Sequence, residues 1–251
     1  MRSGRASTSS CATTAYEAFK TAGFTVPTAK TIARVTPLIP DKVDGFAPRV
    51  GTLGHWYLYV NDGAAANKVK AVAAHEFFHI VQQSTMSTGG RATAPTWWLE
   101  ATAVWAEKLV FGGQGVVEYR EKIRTGCSFP NKSLVEYGDS VWGGGLTEEE
   151  QYGAAALVIY LEEQHSGAAL RIFQDIGWLT SVYQAMAGVV GDMSKFYQEF
   201  AVAYWGQDYA DAAQWDLGAC VTLLYLDRAA NVVVDKTGLP ALSSHLVRAY
   251  V

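Results

Sequence analysis

The sequence is poor in several residue types, and each shortage narrows the possibilities. Cysteine occurs 3 times in 251 residues (Cys11, Cys127 and Cys220), with no CxxC or other ligand spacing, so a cysteine-held metal is not expected. One disulfide plus a free thiol, or three free thiols, are both open, and no motif marks any of the three as a nucleophile. No apolar run approaches the roughly twenty residues of a membrane span. The opening "MRSGRASTSS" lacks the apolar stretch of a signal peptide. Positive charge is not in excess: a net charge of −4 gives no reason to expect nucleic acid or an anionic membrane as partner. There is no internal repeat and no low-complexity stretch. What remains is a chain 49% hydrophobic and 18% charged, the composition of a soluble globular protein long enough for one large domain or two lobes.

Histidine is scarce too, with 5 in the chain, yet two of them fall together in "AVAAHEFFHIVQ". His75 and His79 are four residues apart and Glu76 follows the first, an HExxH pattern. The pattern has chemical meaning only on a helix, where positions i and i+4 project from one face about 6 Å apart along the axis. Two imidazoles so placed can close on one zinc ion. Glu76 then points about 100° around the axis, beside the metal, where a base acting on an activated water belongs. The stretch "KVKAVAAHEFFHIVQQS" reads as helix: it has no Gly or Pro, and its alanines are strong helix formers. Val72, His75, Phe78, His79 and Gln82 share a face by period, so the histidines lie on or beside a buried stripe. The competing reading is two core histidines, each satisfied by a hydrogen bond.

A zinc site needs a third protein ligand, and "PTWWLEATAVWAEKL" offers one. Pro95 and Thr96 are good helix-start residues. Glu100 and Glu107, seven apart, share a face within about 20°. Carboxylates among Trp97, Trp98, Leu99, Val104 and Trp105 must be paired, hydrogen-bonded or metal-bound if they are buried. Alternatively both acids lie on a wet stripe while the tryptophans face the core.

HExxH followed by a helix of this wording resembles the gluzincin metallopeptidases, in which two His and a downstream Glu bind zinc. "HEFFHIVQ", "PTWWLEATAVWAE" and "QYGAAALVIYLEEQHS" look like secreted bacterial peptidase-like proteins of the thermolysin/aminopeptidase clan, over about residues 50 to 175. The resemblance implies His75, His79 and Glu100 as ligands of Zn2+, Glu76 as general base, and Glu107 as an acid that orients a ligand by hydrogen bond. It also implies secretion. The chain departs from the pattern at three points. Ala101 stands where the family often has Gly, the interval from His79 to Glu100 is slightly longer than in the aminopeptidase branch, and Val104 stands where the thermolysin branch carries Asp.

The expected fold is α+β and zincin-like: a small mixed sheet and the active-site helix in an upper lobe (residues 1–140), a mainly α-helical lower lobe (141–218), and a C-terminal β-segment (219–251) that either completes this domain or belongs to a following one. "TTAYEAFKTAGF" reads as a helix ending at Gly23, and "TIARVTPLI" and "GHWYLYV" as strands joined by the loop "PDKVDGFAPRVGTLG". An exposed sheet edge can hold an extended peptide, and the resemblance implies that a strand just before the HExxH helix does so, which makes "GTLGHWYLY" the candidate substrate strand. His55 on it is an alternative ligand to Glu100. Gly-rich "VWGGGLT" suits a hinge or a loop. Thr147 and Glu150 form a capping-box pattern that opens a helical run through "EEEQYGAAALVIYLEEQHS", "AALRIFQDI", "SVYQAMAGV" and "DMSKFYQEFAVAYW". "CVTLLYL", "NVVV" and "HLVRAYV" suggest terminal strands.

The implied activity is hydrolysis of peptide bonds in a peptide or protein substrate, with an endopeptidase favoured because no motif would hold a free N-terminus. The resemblance implies a Tyr or His from the helical lobe as the donor that steadies the oxyanion, with Tyr152 the first choice ahead of Tyr160 and His165. Two other classes compete: a peptide-binding module on the same fold that no longer cuts, and a zinc hydrolase of non-peptide amides or esters.

Overall fold

With neither Gly nor Pro between residues 66 and 85, the HExxH segment forms one unbroken helix, α2 (Ala66–Thr85). In the computed structural model, the described residues are 3–28, 31–36, 45–47, 56–61, 65–129, 146–208, 214, 215, 217, 224–226 and 247–249. Helices dominate them. Besides α2 these are α1 (Ser3–Thr21), α3 (Thr88–Thr93), α4 (Thr96–Phe111), α5 (Glu118–Thr125), α6 (Glu148–Gly153), α7 (Ala155–Gln164), α8 (Ala168–Asp175), α9 (Val182–Val190) and α10 (Met193–Gly206). Three short strands, β1 (Thr31–Thr36), β2 (Gly45–Phe46) and β3 (Trp56–Asn61), form a mixed sheet, and β4 (Leu224–Leu226) pairs in parallel with β5 (Val247–Ala249). The expected strands at "CVTLLYL" and "HLVRAYV" are thus present in part. "NVVV", "VWGGGLT" and His55 lie outside the described residues. No helix among those described is long and apolar enough to cross a membrane.

The sheet corrects one expectation. β3 is the central strand, parallel to β1 on one side (Thr31 opposite Trp56) and antiparallel to β2 on the other (Phe46 opposite Tyr59). β2 takes up the second edge at Tyr59 and Val60, so that end of β3 is not open to a peptide, and residues 51–55 of the expected substrate strand lie outside the described residues. The stretch expected to be all loop supplies the missing strand: β2 lies outside β3 and, among the described residues, pairs with nothing else.

α2 carries more than one buried stripe. Ala71, Val72, Ala73, Ala74, His75, Phe77, Phe78, Ile80, Val81 and Gln82 are all buried, because α1, α4 and β3 pack around it. A helix covered on nearly every side needs apolar residues around its circumference, and alanines let its neighbours come close. An aromatic cluster fixes its roll. Phe78 meets Phe19 (ring centroids 4.9 Å apart), Phe24 (5.2 Å), Trp105 (5.9 Å) and Phe173 (6.1 Å). Such contacts contribute about 0.5–1.5 kcal/mol each beyond burial, and together they fix the roll of α2 and so the direction in which both histidines face.

α4 is as thoroughly enclosed. Trp97, Trp98, Ala101, Thr102, Ala103, Val104, Ala106 and Glu107 are buried. It packs against α2 on one side and against α5, α6 and α7 on another. Buried residues from Cys11 to Leu217 belong to one continuous core. The expected capping box is present, with Thr147 Oγ1 accepting from the Glu150 N–H and the Glu150 carboxylate accepting from the Thr147 N–H. The helical run it opens is split at Ala154, between α6 and α7. There Gly153 lies against the backbone of Gly126, and a Cβ on either would collide with main-chain oxygen of the other helix pair. This glycine-to-glycine contact sets α5 and α6 side by side, which brings Lys122 over the ring of Tyr152, 5.3 Å from its centroid.

Cys127 is disulfide-bonded and Cys11 is a buried free thiol, which decides for one disulfide over three free thiols. Burial pushes the Cys11 thiol up from its ordinary value.

Candidate metal centre

His75 and His79 stand one turn apart on α2, their rings edge-on at 4.9 Å. α4 brings Glu100 to both. Its Oε2 lies 3.1 Å from Nε2 of His75 and 3.6 Å from Nε2 of His79. One ligand atom from each of the three residues lies within 4.8 Å of the other two. In a tetrahedral zinc site with bonds of 2.0–2.1 Å, neighbouring ligand atoms are about 3.3 Å apart, and the two measured distances bracket that value.

The outward nitrogens carry the second half of the geometry. Nδ1 of His75 is 2.9 Å from Oε1 of Glu107, and Nδ1 of His79 is 2.9 Å from Oε1 of Gln82. With each Nδ1–H donated outward, the two Nε2 lone pairs and the Glu100 carboxylate converge on one point. Three acceptors meeting without a donor call for a cation, either a proton or a metal. The residues therefore fit zinc in number, type and orientation.

Glu100 and Glu107 do share a face, and His75 is held between them. Neither is on a wet stripe: Glu107 is fully buried, and the Glu100 side chain is 22% exposed where it meets the cavity. Burial raises the Glu107 carboxyl, but Lys122 and then His75 outweigh it and hold the group below its ordinary value. Lys122 pairs directly with Glu107 Oε1, while Oε2 accepts no hydrogen bond among the described residues. Burial likewise raises Glu100, and His79 and His75 hold it well below the usual carboxylate range. Val104 is a core residue, so the acid hydrogen-bonded to His75 comes from seven residues beyond Glu100 rather than four.

A cavity of about 770 Å³ is lined by His75, His79 and Glu100, and its walls also include Gly45, Glu76, Met86, Arg91 and Tyr152. Glu76 is next to His75 and faces β2, where Gly45 allows the strand to come close: a Cβ there would be 2.8 Å from Glu76 Cγ and would also strike Val72. Tyr152 sits with its ring 5.9 Å from that of His75, and its hydroxyl donates to Glu148 Oε1 at 2.8 Å. Burial, followed by Glu100 and Glu148, raises its pKa, so the phenol keeps its proton. The two weaker candidates are elsewhere. Tyr160 packs on Phe196 and Phe200, His165 ends α7 beside Phe196, and neither lines this cavity.

Two residues that sequence reasoning gave no role here are Gln82 and Lys122. Gln82 had a local signal, since it follows His79 by three positions on the same helix face. Lys122 is 47 residues from His75, and only the folded chain brings it near.

The state of His79 leads to a test. Burial alone would hold its imidazole neutral, but Glu100, with help from Glu76 and Gln82, lifts its pKa from 6.5 to about 9. A histidine pKa raised by folding stabilises the metal-free protein fully below pH 6.5, and that contribution is lost as pH rises through about 9. Zinc must displace the same proton. Uptake at pH 7 is expected to release about one proton from this group, and the release should vanish above pH 9, with apparent affinity rising about tenfold per pH unit in between. Calorimetry in two buffers of different ionisation enthalpy measures the release; none at pH 7 would refute the assignment of His79. Compared with protein-family models, curated proteins and solved structures, the chain shows no match.

Proposed function

We propose that the protein is a zinc-dependent hydrolase of peptide bonds, with a zincin-like arrangement of its HExxH helix. The observation that carries this reading is the convergence of His75 Nε2, His79 Nε2 and Glu100 Oε2 at the floor of a cavity that Glu76 also lines. Zinc, when bound, supplies Lewis acidity that polarises a carbonyl and lowers the pKa of water toward neutrality. His75, His79 and Glu100 would hold the metal, and the cavity they line would admit a substrate.

Glu76 is the base. It takes a proton from the attacking water as the new C–O bond forms at the peptide carbonyl, and delivers it to the amine nitrogen as the C–N bond breaks. Its place next to His75 and under β2 puts it between the ligands and the strand edge. β2 is the natural rail for an extended peptide, since its outer edge is unpaired among the described residues and Gly45 and Ala47 line the cavity. Tyr152 keeps its proton and can donate it in a hydrogen bond to the carbonyl oxygen after leaving Glu148. The disulfide at Cys127 fits an oxidising compartment and so supports secretion.

The reading is tested with zinc-loaded protein and a mixture of unstructured peptides, followed by mass spectrometry. Internal cleavage that stops on chelation and returns with zinc is the expected result. Hydrolysis of small amides or esters with all peptides intact would contradict it.

A further inference from the structure

Gln82 is 1% exposed, and the chemistry of its neighbours assigns both ends of its amide. The amide nitrogen lies 2.7 Å from the carbonyl oxygen of Leu99, which can only accept, so this end must be the NH2. The same NH2 lies 2.9 Å from Oγ1 of Thr102, whose own proton goes to the Trp98 carbonyl at 2.7 Å. Oε1 is left to face His79, so Nδ1 of His79 must be an N–H, and Nε2 is the nitrogen turned toward Glu100 and free to give up its proton to a metal. A methionine or leucine would fill this space without needing partners, and leaving any of these polar ends unpaired costs about 1–3 kcal/mol. Packing alone does not call for glutamine here.

We propose that Gln82 is the positioning residue of the metal centre. One side chain fixes the tautomer of His79 and also ties α2 to the α4 backbone at Leu99, one residue before the ligand Glu100. The spacing between the His79 and Glu100 donors is therefore set across a single amide rather than by general helix packing. The inference rests on the metal reading above.

The test uses full-length, zinc-loaded protein labelled with 15N-histidine. Wild type should show two slowly exchanging imidazole N–H signals, from His75 on Glu107 and from His79 on Gln82. Gln82→Met should lose the His79 signal, keep that of His75, and weaken zinc binding roughly tenfold to a hundredfold by chelator competition. Gln82→Glu keeps an acceptor for His79 and, at a pH where its carboxyl is ionised, loses the donor to Leu99, so under that condition its His79 signal should persist while zinc binding still weakens. If Gln82→Met does not fold, Gln82→Glu decides: unchanged zinc affinity overturns the proposal. Both signals and wild-type affinity in folded Gln82→Met also overturn it. Failure of the wild type to bind zinc removes the metal reading itself, and this inference with it.

Discussion

Glu76→Gln is expected to cut peptide turnover by about 10²–10⁴-fold while leaving zinc bound. The two side chains have the same shape, so β2 still fits above α2 and the cavity is preserved. What disappears is the ability to accept a proton from water and return it to the leaving amine. Glu76 is not among the three residues whose donor atoms converge, so zinc content and affinity should stay near those of wild type. The comparison requires kcat, KM and zinc per chain on both proteins. Equal turnover in the two would rule Glu76 out as the base. Zinc bound in both with cleavage in neither would favour a binding module that has lost its chemistry.

Glu100→Gln should have the largest effect on the metal. Substitutions behind a ligand typically weaken metal binding by about 10- to 100-fold, and replacing the ligand's own carboxylate by a neutral amide should exceed that. The same substitution acts on the metal-free protein. Glu100 is the strongest influence raising His79, so in the variant the imidazole pKa should fall from about 9 toward its ordinary value. An NMR titration of the five histidines reads the shift directly. Wild-type zinc affinity together with an unchanged His79 titration would show that Glu100 is neither ligand nor partner.

Much of this site is legible in the sequence because its central parts are local. His75 and His79 meet through helical period alone, and an alanine-rich segment without breakers makes the helix certain. Glu100 and Glu107 share a face for the same reason, and the structure places both against His75. The long-range parts are a different matter. The pairing of Lys122 with Glu107 depends on two glycines, Gly126 and Gly153, that let α5 and α6 touch, and nothing near Lys122 in the chain announces it. The central position of β3 was equally hidden, since a two-residue strand at Gly45–Phe46 is too short to show a period. Gln82 lies between these cases: its helix face could be read, but its tie to the Leu99 carbonyl is a tertiary contact.

The measurement that bears most directly on the whole reading is zinc per chain, by elemental analysis of protein stripped, reloaded and desalted. About one zinc in wild type, lost in His79→Ala and in Glu100→Gln, is the expected result. A value near zero in reloaded wild type would mean that His75 and His79 are core histidines satisfied by Glu107, Gln82 and Glu100, and the hydrolase reading would fall with the metal.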